Sequence, residues 1–228
     1  MQLNFSPHKG RIIRLHYNFI TIILLRLTMN SFDNEKPIVH INGLFSAMAS
    51  SSKELTVAKN KIVYINRNNS ELCYLLLDGV VVMKSLKDHK VIGRATAPFF
   101  FGFNIGTDGY LQTMSEVTFN VIESKLASDI IKKENLWEHL YFVFRRIAIY
   151  LYKKERSLNE PSAHDQIHAL LKILSEENDE IRYVTPVIQY VQENSSLSRS
   201  TIFKVLAELK TSKTIDVQRG ILIKFNKR

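Results

Sequence analysis

The sequence predicts an α+β chain in three parts: a small antiparallel β-roll, one long helix, and a C-terminal helix–turn–helix closed by a hairpin. Three observations carry this expectation. Short β-branched and aromatic runs separated by turn residues fill positions 54–123; an apolar four-three-four-three rhythm runs through 134–157; and capped helical stripes followed by paired strands occupy 163–225. The expected boundaries are a basic extension at 1–30, the roll at 31–133, the long helix at 134–157 and the C-terminal module at 158–228.

Composition narrows the classes. The chain has 228 residues, of which 45% are hydrophobic and 23% charged, enough for one large or two modest domains. Its single cysteine, Cys73, excludes an internal disulfide and a thiolate-built zinc or iron–sulfur site, and fits a reducing cytoplasm. The net charge of +9 is unevenly spread: residues 1–30 carry +4, residues 182–228 carry +6, and the middle, with 18 basic against 19 acidic residues, is nearly neutral. A basic C-terminal module on a neutral body suits a polyanion partner.

The stretch 12–28 is apolar, but its uninterrupted core is only Phe19–Leu25, flanked by Arg14, His16 and Arg26. A spanning helix needs about 20 apolar residues, so no membrane segment is expected, and no small-residue cleavage site marks a secretory signal. Two accounts fit equally: a basic arm, or translated sequence upstream of a natural start at Met29.

Pro37–Ser50 suggests a short helix that Gly43 weakens. Strand-like runs follow at 55–57, 61–65, 72–77, 80–83, 91–92 and 99–101, and Val117, Phe119 and Val121 alternate as a last strand. The separators are Asn68-Asn69-Ser70, Asp78-Gly79 as a tight hairpin, Lys87–Lys90, and the loop from Asn104 to Gly109. The sum is an antiparallel barrel or roll.

In the long helix Leu136, Leu140, Val143, Ile147 and Tyr150 recur with the rhythm of a coiled-coil seam, and Trp137, Tyr141, Phe144, Ala148 and Leu151 form a second row beside them. A helix of about 22 residues spans about 33 Å and has more apolar surface than one small barrel covers. One row is therefore expected on the roll and the other on a symmetry mate, the first row being assigned to the dimer interface.

Ser162-Ala-His-Asp165 opens a helix carrying Ile167, Leu170, Leu171 and Leu174 on one face. Thr185-Pro186 supplies a cap and a first-turn proline for Val187–Gln192. After a break at 193–197, Ser198 caps a helix whose Ile202, Val205, Leu206 and Leu209 form a buried stripe; Ile215–Val217 and Ile221–Phe225 then pair through Arg219-Gly220. This is the order of a winged helix-turn-helix. With the stripe buried, Arg199, Ser200, Phe203 and Lys204 face outward beside Ser198 and Thr201 at the positive helix end, which suits a phosphate. Arg199 and Lys204 can reach guanine acceptors, Phe203 can meet thymine methyl groups, and Arg219 and Lys224 in the wing touch phosphates that position rather than specify.

Ser198-Arg-Ser-Thr-Ile-Phe-Lys-Val-Leu-Ala-Glu-Leu resembles the recognition helix of the CRP/FNR family of transcription regulators, Leu72-Cys-Tyr-Leu-Leu-Leu-Asp-Gly-Val-Val-Val its sensor roll, and 134–157 its dimer helix. Val91-Ile-Gly-Arg-Ala-Thr-Ala-Pro-Phe-Phe-Phe-Gly, Asn135-Leu-Trp137, His164-Asp-Gln-Ile-His168 and Ser198-Arg-Ser200 are closer still to an atypical enterobacterial subgroup concerned with hydrogen peroxide resistance. The resemblance implies a dimeric regulator of double-stranded DNA, linked to oxidative stress, with RNA polymerase as a further contact and a small-molecule ligand left unspecified. Two departures stand out. Where the family's nucleotide-binding members hold the cyclic phosphate with a Gly-Glu pair and a following Arg, Gly102 is followed by Phe103 and no Arg occurs between Arg94 and Arg145. A degenerate roll without cyclic nucleotide or other cofactor is expected, because a buried phosphate would lack its guanidinium partner. The family's base-reading Glu falls on Ser200, so the operator need not match that of relatives.

Other constellations are bland. His164 and His168 lie one turn apart without a third ligand; residues 55–126 hold only His89; Cys73 and the phenylalanines 99, 100, 101 and 103 read as core. No nucleophile–base pair emerges, so no enzyme is expected. The alternative to a DNA-binding regulator is an interaction module whose winged domain binds protein.

Overall fold

The structure, a computed structural model, describes residues 36–67, 70–103 and 109–226. The basic extension at 1–30, the turn at 68–69 and the loop at 104–108 lie outside the described residues. Helix α1 (Ile38–Met48) forms despite Gly43, and a 3-10 turn (Ala49–Ser51) leads into the strands.

Nine strands follow: β1 (Lys53–Val57), β2 (Ile62–Tyr64), β3 (Asn66–Arg67), β4 (Ser70–Asp78), β5 (Val80–Ser85), β6 (Val91–Thr96), β7 (Phe99–Phe101), β8 (Gly109–Thr113) and β9 (Val117–Glu123). They form two antiparallel sheets, one ordered β1-β9-β4-β3 with β7 also on β4, the other β2-β8-β5-β6. The roll is the expected one, with a correction at Asp78-Gly79. That pair joins no hairpin: β4 pairs with β9 and β7, whereas β5 pairs with β6 and β8, so the chain changes sheets there. Gly79 has φ +91°, and a Cβ would stand 2.4 Å from the Glu116 carbonyl oxygen, so the corner requires glycine. Turn chemistry fixed the bend, but not the partner strand.

The run Cys73–Leu76 is apolar because its strand is covered on both faces there, whereas Leu77 at its end is exposed. Cys73 and Leu75 join Phe100, Phe103 and Ile122 in a core under the helices. Tyr74 and Leu76 join Phe101, Leu111, Val117 and Phe119 inside the roll. Burial pushes the Cys73 thiol up to about 12, which suits core packing rather than a thiolate.

Two helices pack over the outer face of the first sheet: α2 (Ser124–Lys133), which the sequence pattern did not reveal, and α3 (Trp137–Leu158). Here the dimer-interface assignment is corrected. Leu140 and Val143 are buried in the core shared with α1 and α2, Leu136 and Ile147 pack against it, and Tyr150 lies against Gly93 of β6. With α1, α2 and the sheet all presenting apolar side chains, the subunit has enough surface to consume this row itself. In the other row Trp137 is 48% exposed, Tyr141 59%, and Ala148 and Leu151 are exposed as well, while Phe144 packs against the same core.

Helices α4 (Ala163–Ser175), α5 (Asp179–Tyr183), α6 (Val187–Asn194) and α7 (Arg199–Thr211) precede the hairpin β10 (Ile215–Gln218) and β11 (Ile221–Phe225). The Ser162 Oγ accepts from the Asp165 backbone N–H at 3.0 Å, the cap expected there, while the Asp165 carboxylate accepts from the Ser162 hydroxyl at 2.7 Å rather than from its backbone N–H. Thr185 is not the cap that its spacing predicts. Its hydroxyl donates to the Ile181 carbonyl at 2.6 Å, and Pro186 itself occupies the N-cap position of α6. No helix among the described residues is long and apolar enough to cross a membrane.

Candidate nucleic-acid interface

The C-terminal module is organised around one core. Ile167, Leu170, Leu171 and Leu174 from α4 meet Val187, Tyr190 and Val191 from α6, the stripe Ile202, Val205, Leu206 and Leu209 from α7, and Ile215 and Leu222 from the hairpin. Anchoring the stripe fixes the rotation of α7, and therefore which side chains look outward. Ser198 caps α7, its Oγ accepting from the Thr201 N–H at 3.2 Å. The same oxygen lies 2.9 Å from Ser200 Oγ and 2.8 Å from Thr201 Oγ1, so all three hydroxyls cluster at the helix start.

Of the expected DNA-facing residues, Ser198, Arg199, Ser200, Phe203 and Lys204 are exposed and Thr201 is half-buried. The Arg199 guanidinium lies over the Phe203 ring, 5.5 Å from its centroid. In the wing, Arg219 and Gly220 both have positive φ, 50° and 83°, and Gln218 pairs directly with Ile221, so two residues close the hairpin. The Gly220 carbonyl accepts from the Val187 N–H at 2.8 Å, tying the wing tip to the start of α6. Arg219 and Lys224 are exposed, Lys224 standing opposite Asp216 across the ladder. The free N–H groups and positive dipole of α7 thus lie beside long cationic side chains on one outward surface.

Sequence reasoning missed a second polar constellation, where the roll meets this module. Arg94 of β6, with only 4% of its side chain exposed, pairs with Glu193 of α6 and lies over the Tyr190 ring at 5.1 Å. Asn178 donates to Thr96 Oγ1 at 2.8 Å, and the Lys154 ammonium donates to the Val91 and Ile92 carbonyls. Burial pushes Lys154 down to about 8, with Arg94 acting in the same sense. Burial also raises the Glu177 carboxyl, against the pull of Arg146 and Arg94. No sequence motif announces these groups.

The weaker candidates do not assemble. His164 is exposed, and His168 packs against the Phe225 ring at 5.0 Å. Among the described residues no three of His, Cys, Asp or Glu gather as metal ligands would.

Fold and module together define a class. The roll, long helix and winged helix-turn-helix together give the chain the fold of the solved structures named below. Residues 163–228 match the family described as winged helix-turn-helix DNA binding. The chain is similar to proteins named inhibitor of hydrogen peroxide resistance: 22% identical over 179 residues to that of Escherichia coli K12, covering 74% of this chain and 84% of the relative, and 24% over 199 residues to that of Salmonella typhimurium LT2, covering 84% and 95%. Among solved structures it resembles the c-di-GMP responsive global regulator CLP of Xanthomonas campestris, with TM-score 0.62 and 14% identity over 82% of this chain and all of that one. A CooA mutant of Carboxydothermus hydrogenoformans superposes with TM-score 0.64 and 13% identity over 78% and 85% of the two chains.

Proposed function

We propose that this protein acts as a homodimeric transcription regulator of the cytoplasm, reading double-stranded DNA with the outward face of α7. The observation that carries the reading is the division of that helix: four buried apolar anchors on one side, and Arg199, Phe203 and Lys204 exposed on the other above a capped, electropositive end. Ser198, Ser200 and Thr201 sit where a phosphate would approach, and Arg219 and Lys224 add wing contacts. The relatives' names support a role in the response to hydrogen peroxide.

The dimer surface in this reading is the exposed row Trp137, Tyr141, Ala148 and Leu151. An aromatic-rich stripe along a 22-residue helix is what a two-fold partner buries. The roll binds no cyclic nucleotide: Gly102, at φ +87°, lies against the Leu72 carbonyl, and Phe103 is buried in the core rather than offering a carboxylate. No arginine occurs in the sequence between Arg94 and Arg145 to pair with a phosphate there.

Fluorescence anisotropy on promoter fragments tests the central claim. An Arg199→Ala, Lys204→Ala double variant should bind far more weakly, and its salt slope should fall by about 1 for each phosphate that it no longer neutralises. Unchanged affinity and slope would refute reading by α7. A Tyr141→Glu, Leu151→Glu variant should sediment as a monomer and lose operator affinity.

A further inference from the structure

Phe203 is 48% exposed beside the exposed Arg199 and Lys204, and no other large apolar residue of α7 is open to solvent. Its neighbours Ile202, Val205 and Leu206 are all buried, so the fold fixes Phe203 outward without using it. Its ring instead underlies the Arg199 guanidinium one turn earlier. An i, i+4 cation–π pair covers one face of the guanidinium while leaving its in-plane N–H donors free, which narrows the arginine's rotamers around a presentable fork.

The short polar side chains around this pair are turned elsewhere. Ser200 and Thr201 both engage the capping Ser198 hydroxyl. The long groups left to enter a groove are Arg199, Phe203 and Lys204. In the major groove the apolar feature on the base edges is the C5-methyl of thymine, while guanine O6 and N7 match a guanidinium fork.

We propose that Arg199 and Phe203 form one composite reader, in which the guanidinium takes a guanine and the ring edge takes the methyl group of a thymine on a neighbouring base pair. This rests on DNA binding by α7, and goes beyond it by fixing what each half-site must contain. Thymine preference comes from burying a methyl group, in place of the cytosine contact that a carboxylate at position 200 would make. Phe203 is thus both a specificity-determining residue and a positioning residue for Arg199.

The experiment selects duplexes from a random library with the full chain, then measures binding of a selected duplex in which deoxyuridine replaces each thymine of the half-sites. Removing a buried methyl group should weaken the wild type about fourfold per half-site. Phe203→Ala should bind the two duplexes equally, and should select sites that have lost the thymine. Phe203→Leu should keep the deoxyuridine penalty but tolerate replacement of the guanine better than wild type, because the methyl contact survives without the stack. If deoxyuridine costs the same in wild type and Phe203→Ala, or if Phe203→Ala weakens both duplexes equally and selects the same sites, the composite reader is wrong while DNA binding stands. A wild-type chain that enriches no duplex would overturn the DNA-binding reading as well.

Discussion

The guanidinium of Arg94, on the edge strand of the roll, is paired with the carboxylate of Glu193 in the last turn of α6, 99 residues away and just before the recognition helix. The Tyr190 ring lies under it, and its Nε and Nη1 atoms have no hydrogen-bond partner among the described residues. Glu193 is therefore the main compensation for a cation taken almost wholly out of water.

That arrangement makes the two truncations unequal. Glu193→Ala strands a buried guanidinium and should cost about 3–5 kcal/mol, whereas Arg94→Met replaces the cation with an apolar chain of similar length and should cost less. Chemical denaturation of the two variants and the double variant measures this. Equal losses would show that the pair is not desolvated as described.

Lys154 gives the junction a pH dependence. Burial lowers its pKa from 10.5 to about 8, so between those values the unfolded chain binds more protons than the folded one. Stability attributable to this group must then rise with pH across that window. Relative to Lys154→Met, the wild type should gain stability from about pH 8 to about pH 10 in thermal melts. A flat difference would mean the ammonium is solvated.

Ser198→Ala removes the cap of α7 and should destabilise the chain by about 1 kcal/mol, while Ser198→Asp should restore it. Hydrogen exchange at the first turn of α7 reads the local effect. Operator affinity should fall with Ala and, through charge repulsion with phosphate, also with Asp.

Leu170 is fully buried where α4 meets α6, α7 and the hairpin. Leu170→Ala should cost about 2–5 kcal/mol through the cavity it leaves. Circular dichroism melts should show the loss, and operator binding should fail at a lower temperature than in the wild type. A smaller loss would indicate that α4 collapses into the space.

The winged module was legible because its signals are local. Ser162 and Ser198 cap where their spacing predicts, the stripe from Ile202 to Leu209 is buried, and Arg219-Gly220 closes the hairpin. The roll was legible as strands, but not as pairings: Asp78-Gly79 reads equally as a hairpin or as a sheet-changing corner. On α3 the apolar rhythm marked two rows without saying which one the subunit itself buries, because α2, which fills part of that core, went unseen.

The sequence alone determined the class of most segments, the Ser162 and Ser198 caps and the buried stripes of the winged module, since these follow from periodicity and backbone chemistry within a few residues. Tertiary structure decided which face of α3 stays open, which strands meet across the roll, and that Arg94 finds Glu193. Those outcomes depend on how much apolar and charged surface distant segments bring to one place, a sum that no local pattern records.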